Sequence, residues 1–246
     1  MNILVCISHV PDTTAKISFT DDNKKYNKKE IQFVINPFDE LTLTRALEIK
    51  DKTNAKVTVI NVGLLETEPT IRKALAMGAD DAIRINMEPT DAYQTAVQIA
   101  EVVKNIEFDV ILTGKESSDY NGSQVGEMIA ELLEIPSITS VAHIDLEENK
   151  GIIKREYFGG YQDFEVPFPF VASGQKGIAL EPRIPNMRGI MMARSKKLEV
   201  KEPADTETLT EVIKHNLPEP KGACKIIDSE NLEELVDLLH NEAKVI

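Results

Sequence analysis

Apolar positions along this chain fall into short runs and helical stripes, and the two alternate. Ile3–Ile7 is a continuous apolar run, the pattern of a strand covered on both faces. Val57–Val62 and Val110–Thr113 are the next predicted buried strands, and each stops at a glycine, Gly63 or Gly114. Ala82–Ile85 predicts a shorter strand. Between these runs, Asn36-Pro37 predicts a helix start, with Asn36 as cap, Pro37 at the first position, and Asp39 and Glu40 in the first turn. Leu41, Ala46, Leu47 and Ile49 carry that helix to about Lys52. Glu68-Pro69-Thr70 opens a second helix through Ile71, Ala74 and Leu75, closed at Gly78. Asp91 caps a third through Ala96, Ile99, Ala100 and Val103. Gly122–Leu133 predicts a fourth, with Val125, Met128, Ile129 and Leu132 inward. Such alternation predicts an α/β fold, a mainly parallel doubly wound sheet with helices on both faces.

The flanking segments differ. Lys16–Phe19 and Glu30–Ile35 predict short strands around a solvated tip at Asp21–Lys29. After Pro136, Ile152–Tyr157, Asp163–Val166 and Phe170–Ala172 predict added antiparallel strands, the first two joined at Gly159-Gly160. The prolines of Glu181–Lys197 predict an extended, solvent-facing segment, and Glu202–Cys224 reads mostly as a linker. Asn231–Ala243 predicts an amphipathic helix with Leu232, Leu235, Val236, Leu238 and Leu239. It is too short to be stable alone and must dock. The expected division is an α/β domain over residues 1–201 and a C-terminal extended arm with a docking helix over 202–246.

Charge narrows the function classes. The 246 residues hold 41 Asp and Glu against 28 Lys and Arg, a net charge of −13, which argues against general nucleic-acid binding. Cys6 and Cys224 make neither a disulfide framework nor a zinc pattern, which fits a reducing cytoplasm. No run approaches the ~20 apolar residues of a membrane span, so direct membrane insertion is not expected. His9, His143, His215 and His240 are dispersed, and no nucleophile–base–acid set or metal spacing appears. The expectation is a chain that binds and positions something, not an enzyme.

In an open α/β sheet, ligands sit at the carboxyl ends of the strands, near the topological switch point. Ile7–Asp12, Asn36–Asp39, Val62–Gly63 and Gly114–Gly126 fall there. In the last of these, Gly122, Ser123 and Gln124 are expected on the first helical turn, where unpaired N–H groups attract an anion, with the Ser123 hydroxyl as a further donor. The stretch is neither a Walker loop nor a GxGxxG fingerprint, and a plain capping loop is the competing reading. Asp39 offers dipole compensation or an acceptor for a ribose. Cys6 is a small buried hydrophobe or a wall against a nucleotide. Glu181–Lys197 packs three Arg, two Lys and three Met into an acidic protein. It is a partner surface or a solvated loop whose Met residues cover a local core.

Five segments, in order over roughly residues 1–200, resemble the β subunit of electron transfer flavoprotein. They are Asn36-Pro37-Phe38-Asp39-Glu40, Thr70 through Asp80, the Gly114–Gly126 loop, Gly159-Gly160, and Glu181-Pro182-Arg183 through Lys197. The resemblance implies an αβ heterodimer with the redox FAD held mainly by the α subunit near the interface, and AMP held by β without turnover. It implies that the C-terminal arm reaches to α. It implies electron flow from dehydrogenases, such as acyl-CoA dehydrogenases in fatty acid oxidation, to a membrane quinone oxidoreductase. Carried over by position, the AMP site is Cys6, Asn36, Pro37, Phe38, Asp39, Val62, Gly114, Lys115, Glu116, Ser117, Ser118, Asp119, Tyr120, Asn121, Gly122, Ser123, Gln124 and Val125. The N–H groups of Ser123, Gln124 and Val125 are expected to hold the phosphate. Met187 aligns with the apolar anchor, commonly Leu, of the family's recognition loop, and Arg183, Arg188, Ile190, Met191 and Arg194 complete the expected partner surface.

Two departures matter. Thr13 falls where some members carry an aromatic residue near the flavin. Tyr120–Val125 replaces the usual acidic run and Asn-Gln-Thr, and its Gln-Val-Gly resembles electron-bifurcating relatives that bind a second FAD in place of AMP. A stand-alone adenine-nucleotide-binding module and a nucleotide-dependent enzyme such as an adenylyltransferase are the other readings. The enzyme reading lacks a phosphate-loop lysine and a metal carboxylate cluster.

Overall fold

The computed structural model describes residues 1–246. The strands are β1 (Asn2–Cys6), β2 (His9–Pro11), β3 (Phe19–Thr20), β4 (Lys25–Tyr26), β5 (Phe33–Ile35), β6 (Lys56–Val62), β7 (Asp81–Ile85), β8 (Val110–Gly114), β9 (Ser137–Leu146), β10 (Lys150–Tyr157), β11 (Gly160–Pro167), β12 (Phe170–Gly174) and β13 (Leu198–Lys201). The helices are α1 (Pro37–Thr53), α2 (Glu68–Met77), α3 (Ala92–Val103), α4 (Val125–Leu133), α5 (Met187–Ala193) and α6 (Leu232–Asp237). Nine strands form one sheet in the order β11-β10-β9-β12-β8-β1-β6-β7-β13. It is parallel from β9 to β13, and β10 and β11 add an antiparallel edge.

The period of two along β1 divides the core. Ile3, Val5 and Ile7 face α1 and α2, packing with Leu43, Leu47, Ile71 and Leu75. Leu4 and Cys6 face the other way, toward Ile99 of α3 and Ile129 of α4. Each such aliphatic side chain, fully buried, contributes roughly 1.5–3 kcal/mol. From β1 the chain moves outward through β6 and β7, then returns to β8 on the other side of β1. That reversal makes the switch point, and its crevice opens between the carboxyl ends of β1 and β8.

Several expectations need correction. Lys16–Phe19 and Glu30–Ile35 do not pair with each other: β3 pairs with β4 as a two-residue hairpin, and β5 pairs with β2. Phe170–Ala172 is not an added antiparallel strand. It lies inside the sheet, parallel to both β8 and β9, with its side chains buried. The fourth helix begins at Val125, because Asn121 and Ser123 have positive φ (49° and 48°) and cannot continue a right-handed turn. Gly122, Ser123 and Gln124 therefore belong to the loop. Glu181–Lys197 is not extended throughout, since Asn186 caps α5 by accepting the Gly189 N–H at 2.8 Å. Strands β9 and β13 were not anticipated. The linker 202–224 has no regular element, and α6 buries no residue in the single chain.

Candidate functional site at the switch point

Two side chains at the start of α1 assemble the crevice. Asn36 is fully buried and occupies the cap position, but its side chain makes no capping bond. Instead its Nδ2 donates to the Glu116 carbonyl at 2.8 Å, and its Oδ1 accepts the Ser118 N–H at 3.1 Å. One amide thus clamps both sides of residue 117 in the loop after β8. Asp39, one turn on, accepts the Ser8 N–H at 2.7 Å and the Gly114 N–H at 2.9 Å. Its carboxylate bridges the ends of β1 and β8. Burial pushes its pKa up to about 6, against the pull of these hydrogen bonds. Asn36 and Asp39 thus hold the expected cap and first-turn positions, with the Asn36 side chain turned to the loop and the Asp39 carboxylate reaching across to β1 and β8.

The Gly114–Val125 loop is fixed along its first half and open along its second. Lys115 N–H donates to Gly174 at 2.8 Å, and Asn121 N–H to Ser117 at 2.8 Å. The N–H groups of Gly122, Ser123, Gln124 and Val125 donate to no group in the chain. A Cβ on Gly122 meets nothing within 4 Å, so the approach is open. The left-handed residues Asn121 and Ser123 among such N–H groups resemble an anion-binding nest, and strained residues of this kind concentrate at ligand sites. Ser123 does not present its hydroxyl freely: it donates to Glu116 at 2.9 Å. Asp119 and Tyr120 are exposed at the tip.

The crevice walls are quiet chemically. Burial, and then the charge of Asp39, push the Cys6 thiol up to about 12, so it is a wall and not a nucleophile. Val62 is buried beside it at the end of β6. Asn61 Oδ1 and Thr113 Oγ1 are buried without a partner at the ends of β6 and β8. Pro37 is exposed and Phe38 half-buried at the start of α1. His9 is a strut: Nδ1 meets Thr70 Oγ1 at 2.7 Å, the ring stacks on Phe33, and burial lowers its pKa. Thr13 is exposed. The clamped loop and its open N–H donors make a candidate anion site, with small apolar side chains at its wall.

The expected partner surface forms a separate site on α5. Met187 is 75% exposed and Met191 70%, so neither covers a local core. Ile190 is exposed too and lines a cavity of about 630 Å³ with Arg72, Lys73, Ala76, Pro185 and Arg194. Arg188 and Arg194 are exposed, whereas Arg183 pairs with Asp51 and anchors its own N–H on Thr44. The sequence reading missed what moors α5. Arg72 donates to the carbonyls of Ala193 and Lys196, and Lys196 to those of Leu75 and Ala79 at the end of α2. Gly189 sits against the Ala76 carbonyl, where a Cβ would lie 2.4 Å from the oxygen. The signal available was Arg72 itself, a cation inside the conspicuous Thr70–Asp80 stretch.

The electron transfer flavoprotein domain family matches residues 25–206. The electron transfer flavoprotein subunit beta of Bacillus subtilis is 34% identical over 260 residues, covering 100% of both chains. The human electron transfer flavoprotein subunit beta is 30% identical, covering 94% of this chain and 95% of its own. The acryloyl-CoA reductase electron transfer subunit gamma of Anaerotignum propionicum is 32% identical over 97% of this chain and 98% of its own. No helix is long and apolar enough to cross a membrane. With its switch-point crevice and full-length likeness to these proteins, the chain belongs to the electron transfer flavoprotein β-subunit family, electron carriers rather than enzymes.

Proposed function

We propose that this chain is the β subunit of a cytoplasmic heterodimeric electron transfer flavoprotein that holds AMP structurally and completes the FAD site of an α subunit. The observation that carries the AMP reading is the Gly114–Val125 loop, clamped by Asn36 and Asp39 with its later N–H groups free. In this reading Ser123, Gln124 and Val125 hold the phosphate through backbone donors. Cys6 and Val62 wall the base, and Asn36 and Asp39 keep the loop in place. FAD, when bound in the heterodimer, supplies the redox chemistry by taking up and giving back electrons. Residues 1–201 form the nucleotide-binding domain, and 202–246 form an arm whose exposed Leu232, Leu235 and Val236 dock on α. Met187, Ile190 and Met191 on α5, flanked by Arg188 and Arg194, receive donor dehydrogenases, acyl-CoA dehydrogenases among them. Electrons then leave for a membrane quinone oxidoreductase.

A second reading has a specific observation behind it. Gln124-Val125-Gly126 at the loop's end, together with the likeness to an acryloyl-CoA reductase electron transfer subunit, favours a second FAD in this crevice. Co-expression with an α subunit, followed by release and chromatographic quantification of cofactors, separates the two. One FAD and one AMP per heterodimer is the expected result. Two FAD without AMP establishes the second reading, and no partner and no flavin sinks both.

A further inference from the structure

The cavity between α2 and α5 is held in shape by bonds that run both ways. Arg72 Nη1 donates to the carbonyls of Ala193 at 2.8 Å and Lys196 at 2.9 Å, at and just beyond the end of α5. Lys196 Nζ donates in return to the carbonyls of Leu75, at 3.0 Å, and Ala79, around the end of α2. Each cation thus bonds carbonyls at the other helix's end, where intrahelical partners run out. Gly189 lies against the Ala76 carbonyl and brings the two helices close.

Arg72 has an edge to spare. A guanidinium carries five N–H donors, and here Nη1 alone does the mooring. Nε and Nη2 bond to nothing in the chain. Those two nitrogens form a fork that grips a carboxylate with two parallel bonds. Arg72 lines the cavity with Lys73 and Arg194, and no carboxylate lines it. Lys73 is already paired with Glu40 at 2.6 Å, and Arg194 is exposed. The rest of the lining is apolar, Pro69, Pro185 and Ile190 included. In a chain of net charge −13 this is a cationic recess, so its complementary occupant is acidic.

We propose that the α2–α5 cavity receives a glutamate or aspartate side chain of the donor dehydrogenase, gripped by the free edge of Arg72. The inference rests on the donor reading above. Ile190 joins the two, because it lines the cavity and belongs to the exposed α5 face that carries Met187 and Met191. A partner that covers this face also closes the cavity. Its acidic group sits on a short aliphatic stem, since the fork takes two coplanar oxygens and the walls take apolar contact. The bonds of Nη1 fix the guanidinium beforehand, so docking orders little that was free. Met187 supplies the apolar half of the recognition, and Arg72 the polar half.

The test uses the heterodimer with α and a purified acyl-CoA dehydrogenase that reduces it. Arg72→Lys keeps a cation for the Ala193 and Lys196 carbonyls and removes the fork. The dehydrogenase's KM for the heterodimer is expected to rise about tenfold or more, the worth of hydrogen bonds to a charged group. Its kcat, and amide hydrogen exchange at residues 187–193, are expected to stay unchanged. Surface carboxylates of the dehydrogenase are then neutralised one at a time to their amides. One of these changes is expected to raise KM with the wild-type heterodimer and to add nothing with Arg72→Lys. An unchanged KM for Arg72→Lys, beside a Met187→Ala that raises it, overturns the carboxylate site and leaves the donor reading intact. Faster exchange in α5, or a raised KM to which no carboxylate couples, reduces Arg72 to a mooring and overturns the site as well. If neither Met187→Ala nor Arg72→Lys changes KM, the donor does not dock on α5, and both readings fall.

Discussion

The Asp39 carboxylate accepts the Gly114 N–H at 2.9 Å, and that bond joins the first turn of α1 to the last residue of β8. The contact leaves no room for a side chain at 114. A Cβ there would sit 2.2 Å from Asp39 Oδ1 and 2.8 Å from both Asp39 N and Phe38 Cβ. Two of those three atoms, the Asp39 amide and Phe38 Cβ, cannot swing aside. Gly114→Ala is expected to cost about 2–3 kcal/mol, the scale of an overpacked core, and to empty the crevice of nucleotide. Urea denaturation and AMP quantification on the same preparation check both. A mutant with wild-type midpoint and AMP content would show that the loop gives way freely.

Asn36 separates a cap from a clamp. An ordinary cap residue replaced by Ala costs about 1 kcal/mol and frays its own helix. Here the replacement strands the Glu116 carbonyl and the Ser118 N–H and leaves α1 without a lost capping bond. Asn36→Ala is expected to cost roughly 2–3 kcal/mol and to raise hydrogen exchange at residues 115–121 while α1 amides stay protected. Exchange that rises instead at residues 38–42 would restore the cap reading.

Asp39 gives this site a pH signature. Its ordinary pKa of 3.8 rises to about 6 in the fold, chiefly through burial. Between those values the folded chain binds the proton more tightly than the unfolded one. Its contribution to stability is therefore fully present below about pH 4 and declines as pH climbs through about 6. Asp39→Asn removes that component, though its amide must then point a donor at one of the two N–H groups. The mutant's deficit in urea midpoint is expected to be larger at pH 4.5 than at pH 7.5. An equal deficit at both would mean that Asp39 titrates as an ordinary carboxylate.

The sequence revealed the layers because buried parallel strands and amphipathic helices write their periods locally. Ile3, Val5 and Ile7 against Leu4 and Cys6 is such a case. Strand β9 was illegible for a physical reason. Its inward residues Ile138, Val141 and Ile144 are three apart, because the ladder shifts register near Val141 and Ser140 has positive φ. Strand β13 carries Glu199 and Lys201 on a four-residue edge, the composition of a protected margin and not of a core. The parallel sense of β12 could not be read from a short apolar run. At the site, the stretches were legible as strand-to-helix turns. The Asn36 clamp was not, because its partners lie 80 and 82 residues away, beyond any capping rule.

The arm divides at His215. Residues 204–215 are bonded to Gln98, Asp91 and Asn23, whereas Leu232, Leu235 and Val236 beyond them are exposed. Deleting 216–246 is expected to leave the urea midpoint of the chain unchanged and to weaken α association. Deleting 203–246 is expected to lower the midpoint as well, because Gln98 and part of Asp91 lose their partners. Analytical ultracentrifugation with α reads the first effect. Undiminished association after the longer deletion would remove the arm from the interface.

The last prediction concerns α5, where anchor and steering charges are separable. Met187 is exposed, so Met187→Ala leaves the fold intact and removes only what a partner touches. A truncated anchor typically costs on the order of 2 kcal/mol or more of binding. Electron transfer from a donor dehydrogenase at subsaturating concentration is expected to slow by at least tenfold, with flavin content unchanged. Arg188→Glu and Arg194→Glu, by contrast, act at a distance and should lower the association rate most at low salt. Arg183→Glu behaves differently again, since it breaks the pairing with Asp51 and sets two carboxylates together beside α1. Its effect is expected as lost stability with little salt dependence of the rate. If Arg183→Glu and Arg188→Glu showed the same salt-dependent loss of rate at equal stability, the Asp51 pairing would not hold in solution, and Arg183 would belong with the steering charges.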